Sequence, residues 1–120
     1  MQFLVIVKAT AEYEAGKMPT KDEIATMGAF NQELGKDGML VECGGLKPSS
    51  GGVRMDFSGA KPHVVDGPFA ETKELVAGFW LVEASSLEQV VERFKHCPFK
   101  RGEHIEIRPF FTLEDFAGIL

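Results

Sequence analysis

Apolar residues fall along this chain in two rhythms, one of strands and one of helices. Phe3-Leu4-Val5-Ile6-Val7 is a β-branched and aromatic run closed by Lys8, and it predicts a strand. A polar stretch follows from Thr10 to Pro19. Thr20-Lys21-Asp22-Glu23 reads as a capping box, in which the Thr20 hydroxyl takes a free amide and Glu23 reaches back. Ile24, Met27, Phe30 and Leu34 then recur at helical spacing, with Gly35 or Gly38 placed to end the helix. Met39 to Cys43 predicts a second strand, stopped by Gly44-Gly45, and Leu46 to Gly52 a loop. Val53-Arg54-Met55-Asp56-Phe57 alternates as a half-exposed strand does. Ser58 to Pro62 turns the chain, and His63-Val64-Val65 returns as the hairpin partner, leading into Asp66-Gly67-Pro68. Val76 to Glu83 is another apolar strand. Ser85-Ser86-Leu87-Glu88 suggests a second capping box before a stripe of Leu87, Val90, Val91 and Phe94, and Pro98 stops that helix. His104 to Arg108 predicts a last strand, with Ile105 and Ile107 on one face and His104, Glu106 and Arg108 on the other. Pro109 marks its end or an edge. Thr112 is placed to cap a final short helix carrying Leu113, Phe116 and Leu120.

The resulting order is β-α-β, hairpin, β-α-β. Leu4 to Ala9 is echoed by Phe79 to Ala84, each before a capped helix. Two split βαβ units in one antiparallel sheet make an α+β, ferredoxin-like fold. One domain over residues 1–120 suits the length. Such a sheet carries helices on one face and should read polar on the other. Here both central strands are apolar on both faces: Leu4 and Ile6 alternate with Phe3, Val5 and Val7, and Phe79 and Leu81 with Trp80 and Val82. The hairpin or a second copy of the chain must cover that face, and a sheet-to-sheet homodimer, a dimeric α/β barrel, is the expectation.

Composition narrows the classes of function. Hydrophobic residues make up 44% and charged residues 26%, which is globular rather than disordered usage. Ten Phe beside one Trp and one Tyr imply a large apolar interior or interface. The net charge is −5, and Lys100-Arg101 is too short for a nucleic-acid footprint, so no direct nucleic-acid binding is expected. Cys43 and Cys97 are far apart and lack metal spacing, which reads as two reduced, packed thiols. The start has neither the basic, long apolar pattern of a signal peptide nor a membrane span, so the expected address is cytoplasmic, with no membrane partner.

No dinucleotide or phosphate-binding glycine loop, His-Glu-x-x-His, Cys-x-x-Cys or Gly-x-Ser-x-Gly occurs. Chemistry then concentrates on Asp66-Gly67-Pro68-Phe69-Ala70-Glu71. Asp66 is either a cap for the amides of the turn that follows or a general acid or base beside a pocket. Glu71 is a second candidate carboxylate, with Phe69 and Lys73 as contacts for a small-molecule ligand. His63 is a further candidate, as a ligand contact or as the partner of Asp66 in a proton-shuttling pair, but it lies three residues before Asp66, which on a strand puts the two on opposite faces, so direct pairing needs a bulge or turn. Arg108 is either part of a salt-bridged face or an anion anchor. Trp80 is either core or interface, or a stacking platform for a ring. Gly67 and Gly78 read as positions where a side chain would block the backbone.

Asp66-Gly67-Pro68-Phe69-Ala70-Glu71-Thr72-Lys73-Glu74 followed by Gly78-Phe79-Trp80 resembles the signature of the DGPF-type branch of the YCII-related family. Gly44-Gly45-Leu46 with Pro48, Cys97-Pro98, and Ile105-Glu106-Ile107-Arg108-Pro109 are similar to that family's pattern as well. The resemblance implies a ferredoxin-like, dimeric α/β-barrel fold. It implies acid-base lyase or isomerase chemistry on small, often aromatic, molecules, dehydrochlorination included, with neither metal nor organic cofactor. In such relatives a His-Asp pair in the N-terminal half is the suspected acid-base unit; this chain has no His before His63, so that pair does not carry over. The resemblance equally allows a non-catalytic ligand-binding or sigma-factor-associated accessory dimer.

Overall fold

The computed structural model describes residues 1–120, the Lys73 side chain excepted. The strands are β1 (Gln2–Lys8), β2 (Leu40–Gly45), β3 (Val53–Asp56), β4 (His63–Asp66), β5 (Val76–Glu83) and β6 (Ile105–Pro109). The helices are α1 (Ala11–Glu14), α2 (Lys21–Lys36) and α3 (Leu87–Phe94). One sheet has the order β2-β5-β1-β6, with every neighbouring pair antiparallel. That order and those directions are the ferredoxin-like arrangement of two split βαβ units. β3 and β4 pair only with each other, as a separate two-stranded arm.

The α2 start is the capping box read from the sequence: Glu23 N–H donates to Thr20 Oγ1 at 3.1 Å, and Thr20 N–H donates to Glu23 Oε1 at 3.0 Å. The helix runs past Gly35 and ends at Gly38, whose φ of 75° is the left-handed geometry glycine adopts freely. Gly38 N–H bonds the Gly35 carbonyl and Met39 N–H the Leu34 carbonyl, which closes a Schellman motif and turns the chain into β2.

The core lies on one face of the sheet. Phe3, Val5, Trp80 and Val82 pack there against Phe30 and Leu34 of α2 and Val90 and Phe94 of α3. Trp80 meets Phe30, Phe94 and Phe99 edge to face and donates its Nε1–H to Asn31 Oδ1 at 2.7 Å. The opposite face carries Leu4, Ile6, Phe79 and Leu81, all half-buried. Leu4 stands beside Leu81 and Ile6 beside Phe79, so the four form one continuous apolar patch.

Several elements depart from the sequence reading. α1 falls within the stretch read as merely polar; Thr10 caps it, accepting Tyr13 N–H at 3.1 Å. The α3 cap is Ser86 rather than Ser85, because Gln89 N–H reaches Ser86 Oγ while the Gln89 side chain turns back to Ser85. Ile24 projects outward, so the buried stripe of α2 begins later than its spacing suggested. The C-terminal helix is only a 3₁₀ turn, Glu114–Phe116, with Leu113 and Leu120 exposed. The hairpin does not cover the second face of the sheet: all eight of its strand residues are exposed. Among the described residues, no helix is long and apolar enough to cross a membrane.

Candidate functional site

The loop after β4 is held in place by a short relay of hydrogen bonds. α1 ends at Glu14, and its carboxylate reaches the 3₁₀ turn Ser49–Gly51. Ser49 N–H donates to Glu14 Oε2 at 2.9 Å, and the Ser49 hydroxyl donates to Glu14 Oε1. Phe69 N–H in turn donates to Ser49 Oγ at 3.0 Å, and Gly67 N–H to the Gly52 carbonyl at 2.9 Å. Three chain segments distant in sequence therefore meet at one half-buried carboxylate and one half-buried hydroxyl.

Gly67 is required by that contact. A Cβ there would lie 1.8 Å from the Ser49 carbonyl oxygen. Gly78 answers to the same pressure more mildly, its Cβ position lying 2.8 Å from the Gly44 carbonyl oxygen. Both glycines act through close backbone approach, as the sequence suggested.

Beside Glu14, the Tyr13 hydroxyl donates to the Ala77 carbonyl at 3.1 Å. Burial, and then the adjacent Glu14 carboxylate, push the Tyr13 hydroxyl above its ordinary range, so it stays a protonated donor. On the other side of the loop, the Arg54 guanidinium lies 3.9 Å from the Phe69 ring centroid and 3.8 Å from Glu71 Oε2. The cation-π contact and ion pair tie the arm to the loop through groups half open to solvent.

The structure brings Glu71, Phe69 and Asp66 to this region. Asp66 closes β4 at the foot of the arm, and among the described residues the amides of the following turn go elsewhere, Gly67 N–H to the Gly52 carbonyl and Phe69 N–H to Ser49 Oγ. His63 stands across from Asp56, and Asp66 across from Val53, so the histidine and the aspartate point to opposite faces. Two candidates lie elsewhere. Trp80 is 5% exposed in the helix-side core, where its ring is enclosed by aromatic neighbours. Arg108 is on the far edge strand, opposite Leu4, and approaches Glu106 at 3.9 Å. The Lys73 side chain lies outside the described residues. Glu14, Ser49, Tyr13 and Arg54 escaped the sequence reading. Of their surroundings, only Pro48 stood near a recognised pattern.

The arrangement suits proton transfer. An ionised carboxylate keeps acceptor capacity after taking two hydrogen bonds, and the Ser49 oxygen retains a lone pair after accepting Phe69 N–H. A proton arriving at Ser49 Oγ can pass on to Glu14 as the hydroxyl gives up its own. Among the described residues, no group of three His, Cys, Asp or Glu side chains is gathered as metal ligands. Two depressions lie elsewhere, on the helix layer. One of about 360 Å³ is lined by Asp37, Met39, Gln89, Glu92, Arg93 and His96. There Arg93 clamps α3 to α2 through Asp37 at 2.8 Å and Glu33 at 3.3 Å, a structural use of the cation.

An uncharacterized protein of Rhizobium meliloti (strain 1021) is 37% identical over 60 residues, which is 50% of this chain and 46% of that protein. The chain thus matches about half the length of that relative. A solved structure with 18% identity and a TM-score of 0.44, covering 95% of this chain and 98% of its own, is 5-chloro-2-hydroxyhydroquinone dehydrochlorinase (TftG) from Burkholderia phenoliruptrix AC1100, in complex with 2,5-dihydroxybenzoquinone. The YCII-related domain matches residues 1–114, nearly the whole chain, and the protein belongs to the YCII-related domain family.

Proposed function

We propose that the protein is a cofactor-independent lyase or isomerase of the DGPF-type branch, moving protons on a small organic molecule in the cytoplasm. The observation that carries this reading is the Glu14–Ser49–Phe69 relay, a carboxylate and a hydroxyl held in fixed geometry against the Asp66–Glu71 loop. Asp66 serves as the second acid-base group, being next in sequence to Gly67, whose N–H seats the loop on the Gly52 carbonyl. Glu71 orients Arg54, and Arg54 takes the anion-anchoring part considered for Arg108, with Lys73 as a further cation in the same loop. Phe69 offers an apolar contact for a ring. The working unit is a homodimer in which a second copy covers the open sheet face, as in a dimeric α/β barrel.

Proton abstraction from carbon can be detected without knowing the product. A panel of hydroxylated aromatic and carbonyl compounds incubated with the protein in D₂O, followed by proton NMR, reads loss of C–H signal. The wild type should exchange at least one panel member. Glu14→Gln and Asp66→Asn should each lower that rate by about 10²–10⁴, the usual share of a general acid or base; Asp66→Asn should leave the melting temperature nearly unchanged, whereas Glu14→Gln, which loses one of the two acceptor oxygens holding Ser49, should also lower it. One observation favours a second reading, a ligand-binding accessory dimer without turnover: Asp66 and Glu71 are both exposed. Saturable binding of a panel member with no exchange above buffer would select that reading.

A further inference from the structure

The β3–β4 arm has two edges, and they differ. Gly67 N–H bonds the Gly52 carbonyl at the base of the arm, and the register runs Val53↔Asp66, Arg54↔Val65, Met55↔Val64 and Asp56↔His63. Bonded and unbonded pairs alternate along an antiparallel ladder, so Arg54 and Asp56 direct their backbone groups to β4. Val53 and Met55 turn theirs away from β4, and Val64 and Asp66 turn theirs away from β3.

A free row of this kind is a template for another strand, and proteins blunt it with proline, charge or a bulge. The outer row of β4 is blunted. Pro62, in step with Val64 and Asp66, has no amide proton, and Asp66 is a charge. The edges of the four-stranded sheet are blunted too, β6 by Arg108 and Pro109 and β2 by the irregularity between Leu40 and Glu42. The outer row of β3 carries none of these. It is Val53, Met55 and, one step past the strand, Phe57, which are 58%, 55% and 69% exposed.

The segment behind that row is complementary to itself read backwards. Two antiparallel copies of Val53-Arg54-Met55-Asp56-Phe57 centred on Met55 set Val53 against Phe57, Met55 against Met55 and Arg54 against Asp56. Directly opposed residues share a face, with Cβ atoms about 4.5–5.5 Å apart, so the apolar row meets an apolar row and each guanidinium meets a carboxylate. A register centred on Arg54 would oppose two cations, and one centred on Asp56 two anions. The charges are available for the match. The Ser58 hydroxyl and then its amide, both bonding Asp56 Oδ1, hold the Asp56 carboxyl below its ordinary range, so it is ionised and keeps acceptor capacity. Arg54 has further N–H donors beyond the one 3.8 Å from Glu71.

We propose that β3 is a self-pairing edge: Val53–Phe57 of one chain adds as an antiparallel strand to the same segment of a second copy, in the register centred on Met55, and fuses two arms into a four-stranded ribbon. The contact is isologous and uses neither face of the four-stranded sheet. It therefore joins sheet-to-sheet pairs to one another and leaves the open sheet face for its own partner. It also brings the partner's Asp56 beside Arg54, at the foot of which Phe69 and Glu71 lie. The pairing stands apart from the acid-base reading above.

The test uses the full-length chain. Amide exchange followed residue by residue by NMR should find Val53 and Met55 as slow as the inward-facing Arg54 and Val65, whereas an unpaired arm protects only the inward set. Met55→Pro removes an amide that β4 does not use, so it blocks the edge and leaves the hairpin bonds in place. Light scattering at micromolar concentration should give this variant half the wild-type mass. Asp56→Lys should halve the mass as well, by opposing two cations, and Arg54→Glu combined with Asp56→Lys should restore it by setting the same pairs in reverse. Free exchange at Val53 and Met55 in the wild type overturns the proposal, as does a wild-type mass kept by both Met55→Pro and Asp56→Lys. A double variant that stays at half mass overturns the Met55-centred register. If Met55→Pro loosens the hairpin itself, seen as fast exchange at Arg54 and Val65, the charge variants decide.

Discussion

Substituting Gly67 by alanine should break the loop from within. The new Cβ would stand 1.8 Å from the Ser49 carbonyl oxygen, 2.8 Å from its carbon and 3.2 Å from the Gly52 carbonyl oxygen. An ordinary C···O approach is about 3.3 Å, so the two backbones must part by roughly 1.5 Å. Forcing extra volume into a packed site costs about 1–3 kcal/mol. The displacement also strains the bonds from Gly67 N–H to Gly52 and from Phe69 N–H to Ser49, each contributing about 1 kcal/mol. A loss of about 2–4 kcal/mol is the expectation, lowering the urea midpoint by about 1–2 M for a typical slope near 2 kcal/mol per M. Gly51→Ala is the matched control: nothing lies within 4 Å of its Cβ position, so it should change stability by less than about 0.5 kcal/mol. If Gly67→Ala denatures within about 0.5 kcal/mol of wild type while Phe69 amide exchange is unaltered, the loop is not seated as described.

Ser49→Ala removes the acceptor for Phe69 N–H and the hydroxyl that donates to Glu14 Oε1 while keeping the backbone N–H on Glu14 Oε2, which should cost about 1–3 kcal/mol and speed Phe69 amide exchange at least about tenfold; unchanged exchange would remove the relay from consideration. Glu23 is held down to about 2 by Lys100 and then by Thr20, against an ordinary 4.5. A depressed folded-state value stabilises above the unfolded value, and that contribution is lost as pH falls from 4.5 towards 2. NMR titration should find the Glu23 midpoint near 2, and Lys100→Ala should raise it; a wild-type midpoint near 4.5 would contradict the pairing. Burial, and then Glu103, push the Cys97 thiol up to about 12, so Cys97 should resist iodoacetamide at pH 8 until the protein is unfolded. Rapid alkylation of Cys97 in the native state would show that the thiol is not buried as described.

What was legible in the sequence had strong local rhythm behind it. Val76–Glu83 was bounded correctly, and Thr20 to Glu23 formed the box its letters spelled, because caps and alternation are local devices. Pro109 closes an edge strand, as a residue without an amide proton must. The site was legible only in part. Asp66 to Glu71 stood out by its turn chemistry, yet the partners Glu14 and Ser49 lie 35 residues apart on a four-residue helix and a three-residue turn. Neither element is long enough to show a period. Their meeting is a tertiary fact, enforced by a glycine against a carbonyl. Trp80 shows the converse: an aromatic on a two-faced strand can pack to either side, and its alternation partner Phe79 took the open face.

The aromatic cluster around Trp80 has a practical consequence. The only indole of the chain sits among Phe30, Phe94 and Phe99 on the helix side, so its emission reports one half of the molecule. Intrinsic fluorescence should stay silent while the arm lets go and change only when the helices leave the sheet. A denaturation curve followed by fluorescence and one followed by arm exchange would then separate in a protein with two units of cooperativity and coincide in one with a single unit.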